Sequence, residues 1–93
     1  MKDTFDFYIV SCHRKEDEPV EYNGKHYVVP RGAFMGYWVS PLYASRTGDP
    51  AKAKLFATEE EAQKVVDSIA EDGNLIFYGK ILRYTANLAT VIQ

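Results

Sequence analysis

Three side chains in this sequence could perform nucleophilic or metal chemistry: the thiol of Cys12 and the imidazoles of His13 and His26. Cys12 and His13 are adjacent, so in a strand they point to opposite faces and cannot serve one site without distortion. A Cys12 nucleophile with His26 as its base remains an alternative, because such pairs are often distant in sequence. With a carboxylate these residues could also hold a metal, but their spacing matches no structural zinc pattern. We expect no catalytic residue, no metal site and no cofactor.

A second set of residues could bind a partner. Aromatic side chains make up 14% of the chain, and seven of them are tyrosines. Tyrosine and tryptophan tolerate a half-wet surface and are enriched at interaction hot spots. The predicted partner-binding residues are Tyr22, Tyr27, Arg31, Tyr37, Trp38, Tyr43 and Arg46.

The same stretch also fits a different class of partner. Basic residues interleaved with aromatic residues are typical of sheets that stack the bases of single-stranded nucleic acid or a nucleotide. This alternative would use Arg31, Arg46, Lys52, Lys54, Tyr37 and Trp38. The simpler interpretation of the lysines is that they keep an edge of the fold soluble.

Length, composition and charge limit the class of protein. A chain of 93 residues with 46% hydrophobic and 26% charged residues is typical of one globular domain, spanning 1–93. The formal net charge of -2 gives no general attraction to nucleic acid or to an anionic membrane. One cysteine cannot form an internal disulfide, which fits a reducing compartment. The sequence shows neither a signal peptide nor an apolar run long enough to span a membrane, so we expect a cytoplasmic protein.

One helix is predicted from Thr58 to Gly73. Thr58 and Glu61 have the spacing of a capping box, and three glutamates occupy the positive end of the helix dipole. Gly73 can adopt the left-handed conformation that ends a helix. A narrow apolar stripe of small residues indicates that the helix lies close against a sheet. The stripe consists of Ala62, Val65, Val66, Ile69 and Ala70.

The rest of the chain predicts short strands. Asn23-Gly24 favours a type I′ hairpin over residues 20–29, and Gly36 indicates a bulge or a close backbone approach. Residues 75–84 are apolar on both faces, which is typical of a central strand, and residues 88–92 could form a weak last strand. The prediction is an α+β fold: a mainly antiparallel sheet of four to five strands with one α-helix, about residues 59–72, packed on one face.

The strands carry more large apolar side chains than this helix can cover. The predicted lining of the helix-covered face is Phe5, Phe7, Ile9, Phe77 and Ile81. Many tyrosines and Trp38 are then left for the other face. Either the region 31–50 folds over that face and makes these residues core, or part of the face binds a partner or another copy of the chain.

Residues 53–62, A-K-L-F-A-T-E-E-E-A, lead into the helix and then a strand. This arrangement resembles the second half of small phage and mobile-element accessory proteins, some of which are anti-defence proteins such as anti-CRISPRs. The resemblance implies an inhibitor that acts by stoichiometric binding, and it assigns no functional residue. Our leading hypothesis is therefore a small non-catalytic protein-binding module that acts through a tyrosine-rich sheet face, the loop 31–50, or both, with a homodimer left open.

Overall fold

The computed structural model describes residues 4–87 and confirms the α+β fold. One α-helix packs on a four-stranded antiparallel sheet, and two further strands form a separate hairpin. Short 3₁₀ turns occupy Leu42–Ala44 and Pro50–Lys52. The elements are β1 Thr4–Arg14, β2 Glu18–Tyr22, β3 Lys25–Val29, β4 Phe34–Ser40, β5 Ser45–Thr47, α1 Glu59–Glu71 and β6 Phe77–Asn87.

The strand order in the main sheet is β5-β4-β1-β6. Strand β1 is central and pairs with β6 in one continuous register from Thr4–Asn87 to Arg14–Phe77. The prediction that the last long strand is central was wrong, since within residues 4–87 β6 lies at the edge of the sheet. The apolar residues on one face of β6 pack in the core under the helix. Those on the other face contact aromatic side chains of β1. The predicted strand over residues 88–92 lies outside the described residues.

The hairpin of β2 and β3 has the predicted turn and register. Asn23 and Gly24 have φ values of 52° and 73°, as a type I′ turn requires, and Tyr22 pairs with Lys25. The hairpin does not join the main sheet, however, and projects as an arm. The radius of gyration is accordingly 16.6 Å, whereas a compact chain of this length has about 12 Å.

Strand β4 contains the bulge that Gly36 indicated. Ser11 pairs with Tyr37 and His13 pairs with Phe34, so β4 has one more residue than β1 over this interval. Gly36 has φ of 105°, and a Cβ there would lie 3.1 Å from the Cβ of Arg46. The bulge shifts the alternation, so that Phe34 and Tyr37 share one face.

Helix α1 begins as predicted and ends differently. The Thr58 hydroxyl accepts a hydrogen bond from Glu61 N at 3.2 Å, while the Glu61 carboxylate accepts from Ala57 N at 3.3 Å. Gly73 does not have the left-handed conformation that we expected. The helix ends at Asp72, whose amide donates to the carbonyl of Ile69 and whose carboxylate accepts from Asn74 N. The backbone amide of Asp72 therefore satisfies a helix carbonyl, while its carboxylate fixes the turn that follows.

The face covered by α1 differs from the prediction. Val10, Cys12 and Phe77 are buried with Ala62 and Ile69 of the helix. Ile81 packs against this core, as predicted. Residues alternate along a strand, so Phe5, Phe7 and Ile9 lie on the opposite face, and their predicted position under the helix was wrong. The sequence alternation grouped these three residues correctly but could not say which group the helix would cover.

Two backbone hydrogen bonds, of 2.8 and 2.9 Å, join Phe56 to Tyr8 of the central strand. They fix the segment that leads from β5, at the sheet edge, to the start of α1.

Within residues 4–87, no helix combines the length and apolar character needed to cross a bilayer.

Gly79 of β6 lets the helix approach the sheet, and its substitution gives a direct test of this packing. A Cβ at Gly79 would lie 2.9 Å from Val10 Cγ1 and 3.2 Å from Val66 Cγ2. We expect Gly79→Ala to lower the free energy of unfolding by about 1–3 kcal/mol, the usual cost of overpacking a core. Chemical denaturation measures this change. Gly48→Ala is the matched control, since a Cβ there meets no atom within 4 Å. Equal stability of the two variants would contradict the close helix–sheet contact.

Candidate functional site

The face of the sheet opposite α1 carries aromatic side chains at both of its ends, and this surface is here called the aromatic face. Its residues come from the three strands β1, β4 and β6. Register places Phe7 opposite Tyr84 and His13 opposite Tyr78, and the bulge of β4 brings Phe34 and Tyr37 to the same side. The aromatic face consists of Phe5, Phe7, His13, Phe34, Tyr37, Tyr78 and Tyr84.

Two clusters form within the aromatic face. At one end, the rings of Phe7 and Tyr84 stack with centroids 5.5 Å apart, and Phe5 lies 5.8 Å from Phe7. At the other end, Phe34 makes an edge contact with Tyr37 at 4.9 Å. These separations and tilts are those at which aromatic rings attract one another. The rings within each cluster therefore hold each other in place.

The aromatic face is substantially open to solvent. Phe5 is 60% exposed, Phe34 51% and Tyr84 40%. The region 31–50 does not cover it, because that region supplies β4 and β5 of the sheet itself. At one end Pro50 and Ala51 approach it, and with Phe7, Ile9 and Tyr84 they line a cleft of about 200 Å³. At the other end Gly32 lies beside His13.

A hydrogen-bonded pair lies in the second cluster. The Ser11 hydroxyl is 2.8 Å from His13 Nε2, and His13 Nδ1 is 3.1 Å from the Gly32 carbonyl oxygen. A carbonyl only accepts, so Nδ1 carries a proton, and in the neutral ring Nε2 accepts from Ser11. A hydroxyl, a base and an orienting group are the components of an activated nucleophile. Ser11 is only 3% exposed, however, so the pair fixes the ring of His13 rather than meeting a substrate.

The structure separates Tyr37 from Trp38, which the prediction placed in one site. Tyr37 is half-buried on the aromatic face. Trp38 is 9% exposed on the helix side, where its ring centroid lies 6.1 Å from that of Phe56. Adjacent strand residues point in opposite directions, so the two cannot contact one ligand on the same face.

Arg46 lies on the helix side of the sheet. Its guanidinium carbon is 4.6 Å from the ring centroid of Phe77, and Nη1 donates to the Met35 carbonyl at 3.1 Å. Such a cation–π contact contributes about 0.5–1 kcal/mol at an exposed position. Because Gly36 has no side chain, Arg46 can lie next to it. Arg46 thus makes structural contacts that the sequence did not indicate.

The other predicted partner-binding residues lie elsewhere on the surface. Tyr22 and Tyr27 are exposed on the hairpin arm, and Tyr43 is 93% exposed in the first 3₁₀ turn. Arg31 is at the base of the arm, where its backbone amide donates to the Asp17 carboxylate. Of the seven predicted residues, the aromatic face contains Tyr37 alone.

The prediction omitted Phe5, Phe7, Phe34, Tyr78 and Tyr84 from the site. A signal for four of them was present, because alternation groups Phe5 with Phe7, and Tyr78 with Tyr84 on the paired strand. Phe5 and Phe7 were left out because the prediction placed them under the helix. Phe34 had no such signal, since its face depends on the bulge. Lys80 was also missed: it pairs with Ser11 and stands exposed among the aromatic residues.

The three side chains that could perform nucleophilic or metal chemistry are not brought together. Cys12 is buried under α1, His13 is on the aromatic face and His26 is exposed on the arm. Cys12 and His13 point to opposite faces, as predicted. In residues 4–87 no three His, Cys, Asp or Glu side chains are grouped so that they could hold a metal ion.

Comparison of the chain with protein-family models, with curated proteins and with solved structures finds no match.

The burial of Cys12 predicts an unreactive thiol. Desolvation raises its pKa to about 11 from an ordinary value of 9.0, and nearby Arg46 offsets part of that rise. Because the thiolate is the reactive form, we expect alkylation of the folded protein to be slow below pH 9 and fast once the chain is unfolded. The folded state favours the neutral thiol of Cys12. The corresponding part of the free energy of unfolding is present below pH 9 and is lost as the pH rises toward about 11, the raised pKa. Iodoacetamide labelling followed by mass spectrometry measures the reaction. Equal labelling of folded and unfolded protein would show that Cys12 is accessible.

Proposed function

We propose that this protein is a small non-catalytic binding module whose aromatic face takes a protein partner in a stoichiometric complex. The observation that carries the proposal is that Phe5, Phe34 and Tyr84 are all exposed on one sheet face that α1 does not cover. Exposed apolar patches on a small protein are typical of an interaction site.

The shape of the aromatic face supports a macromolecular partner. From Phe5 to His13 it extends roughly 26 Å along β1, at about 3.3 Å per residue. The cleft of about 200 Å³ beside Pro50 is smaller than sites for small ligands, which usually enclose about 300–1,000 Å³. A long and nearly flat surface with exposed aromatic anchors fits the hot-spot pattern of protein interfaces.

Charge favours protein over nucleic acid. Lys80 is the basic residue that stands among the aromatic rings, whereas Arg46 contacts Phe77 on the other side of the sheet. Binding of single-stranded nucleic acid combines stacking with several contacts to phosphate. The nucleic-acid alternative would therefore depend on Lys80 together with the aromatic rings, and the experiment below includes it as an outcome.

The resemblance of residues 53–62 to small phage accessory proteins extends the proposal to an inhibitory role. A small module that binds one partner tightly can block that partner's own interaction surface without catalysis. The aromatic face would then occupy a site that the partner uses for another molecule.

Truncation of two exposed anchors tests the proposal. The double variant Phe5→Ser/Phe34→Ser removes apolar side chains that are more than half exposed, so its folding should be little changed. We expect the affinity for the partner to fall at least about tenfold, since truncation of an aromatic hot spot typically costs 2 kcal/mol or more. Tagged protein is used to capture partners from its source cells, and light scattering of the purified complex gives the ratio of the two chains.

The matched control is Tyr22→Ser/Val28→Ser, which removes two equally exposed apolar side chains from the hairpin arm. The proposal predicts that this control retains the partner. Loss of the partner only in the control would assign binding to the arm. Capture of single-stranded oligonucleotides, with an affinity that falls steeply as salt rises, would support the nucleic-acid alternative instead.

A further inference from the structure

A second apolar surface lies on the other side of the molecule, between α1 and the first 3₁₀ turn. This groove, here called the helix groove, has a volume of about 260 Å³. Its apolar lining includes Trp38, Val65, Ile69 and Leu75. A dry apolar cavity of about 150 Å³ already accepts a benzene ring. The helix groove is therefore large enough for an aromatic or aliphatic side chain.

The edge of the helix groove on α1 carries one side chain of each charge. Lys64, Ser68 and Asp72 follow one another at intervals of four residues, so they form a line along one side of the helix. Lys64 and Asp72 lie roughly 12 Å apart at about 1.5 Å per residue, with the small Ser68 midway between them. All three are exposed.

Neither charge is used in an ion pair among residues 4–87, where the salt bridge that forms joins Arg14 to Glu18. Asp72 accepts one hydrogen bond through Oδ1, from Asn74 N at 3.0 Å, which leaves its second oxygen free for a further donor. A positive and a negative side chain are thus presented at the two ends of an apolar groove.

This pattern is complementary to itself. When two such helices meet antiparallel around a two-fold axis at Ser68, Lys64 of each faces the partner's Asp72. Closed symmetric dimers require this kind of surface, on which one patch matches its own copy. A small residue at the axis also permits the two helices to approach closely.

The 3₁₀ turn beside the helix groove presents additional apolar surface. Tyr43 is 93% exposed with φ of 55°, and Ala44, which lines the groove, has φ of 50°. Residues with a Cβ seldom adopt this left-handed conformation, least of all bulky ones. The turn therefore holds an aromatic ring out in solvent at the border of an apolar groove, where a second molecule could cover it.

We propose that the helix groove is the interface between two copies of this chain, related by a two-fold axis near Ser68 and joined by reciprocal Lys64–Asp72 ion pairs. The aromatic faces of both copies lie on the opposite side of their sheets and stay open. The dimer would thus present two aromatic faces to partners. The helix groove that joins the two copies is therefore separate from the proposed partner-binding surface.

Charge exchange tests the proposal. The variants are Lys64→Asp, Asp72→Lys and the double variant that carries both changes. Each single variant puts like charges opposite each other at two symmetry-related places, which should raise the dimer dissociation constant by roughly tenfold or more. The double variant restores opposite charges and should return the constant toward that of the unmodified protein. Analytical ultracentrifugation measures it at concentrations up to roughly 1 mM, because small interfaces give weak dimers.

Asp67→Lys is the matched control, since Asp67 is an exposed acid of α1 that hydrogen-bonds to Gln63 and does not line the groove. It should leave the dissociation constant unchanged, and circular dichroism verifies the fold of every variant. A monomeric unmodified protein overturns the proposal, and so does a dimer that is insensitive to both single variants. Failure of the double variant to recover the dimer rules out the antiparallel Lys64–Asp72 pairing.

Discussion

The contact of α1 with strands β1 and β6 at Gly79 is the constraint on which the rest of this structure depends. With no side chain at that position, Val10, Val66 and Ile69 fill the space that a Cβ would need, since each would lie within 3.4 Å of it. The contact closes one face of the sheet over Val10, Cys12 and Phe77. Since side chains alternate along a strand, closing that face leaves the other set of β1 and β6 residues, including Phe7 and Tyr84, on the open side.

The two sides of the sheet therefore differ in physical character. The helix side is a small core in which even Arg46 is used for packing, through its position above the ring of Phe77. The opposite side has aromatic rings that stack on each other and that neither a helix nor a second sheet covers in the described part of the chain. Rings that are positioned in advance lose little conformational entropy on binding, which favours their use as anchors. Besides these two sides of the sheet, the hairpin arm exposes a separate surface that includes Tyr22 and Val28.

Local features were predictable because they depend on residues close in sequence. The Asn23-Gly24 turn and its register, the Thr58 cap and the bulge at Gly36 followed from backbone conformations that few other residues adopt. The end of α1 was mispredicted for a related reason: the Asp72 amide donates to the Ile69 carbonyl and its carboxylate accepts from Asn74 N, so the chain turns without a left-handed Gly73. The position of β6 at the sheet edge was mispredicted because apolar residues on both faces of a strand do not show that both of its edges are hydrogen-bonded.

By itself, the sequence determined the type of each main element and which residues share a face of β1 and of β6. The tertiary structure alone decided which of those faces the helix covers. It also decided that Trp38 is buried while Phe34 is exposed, and that the hairpin stands apart from the sheet. The physical reason is that periodicity specifies two equivalent faces without distinguishing them. The distinction comes from packing between residues distant in sequence, such as Gly79 against Val10 and Val66, which no local pattern records.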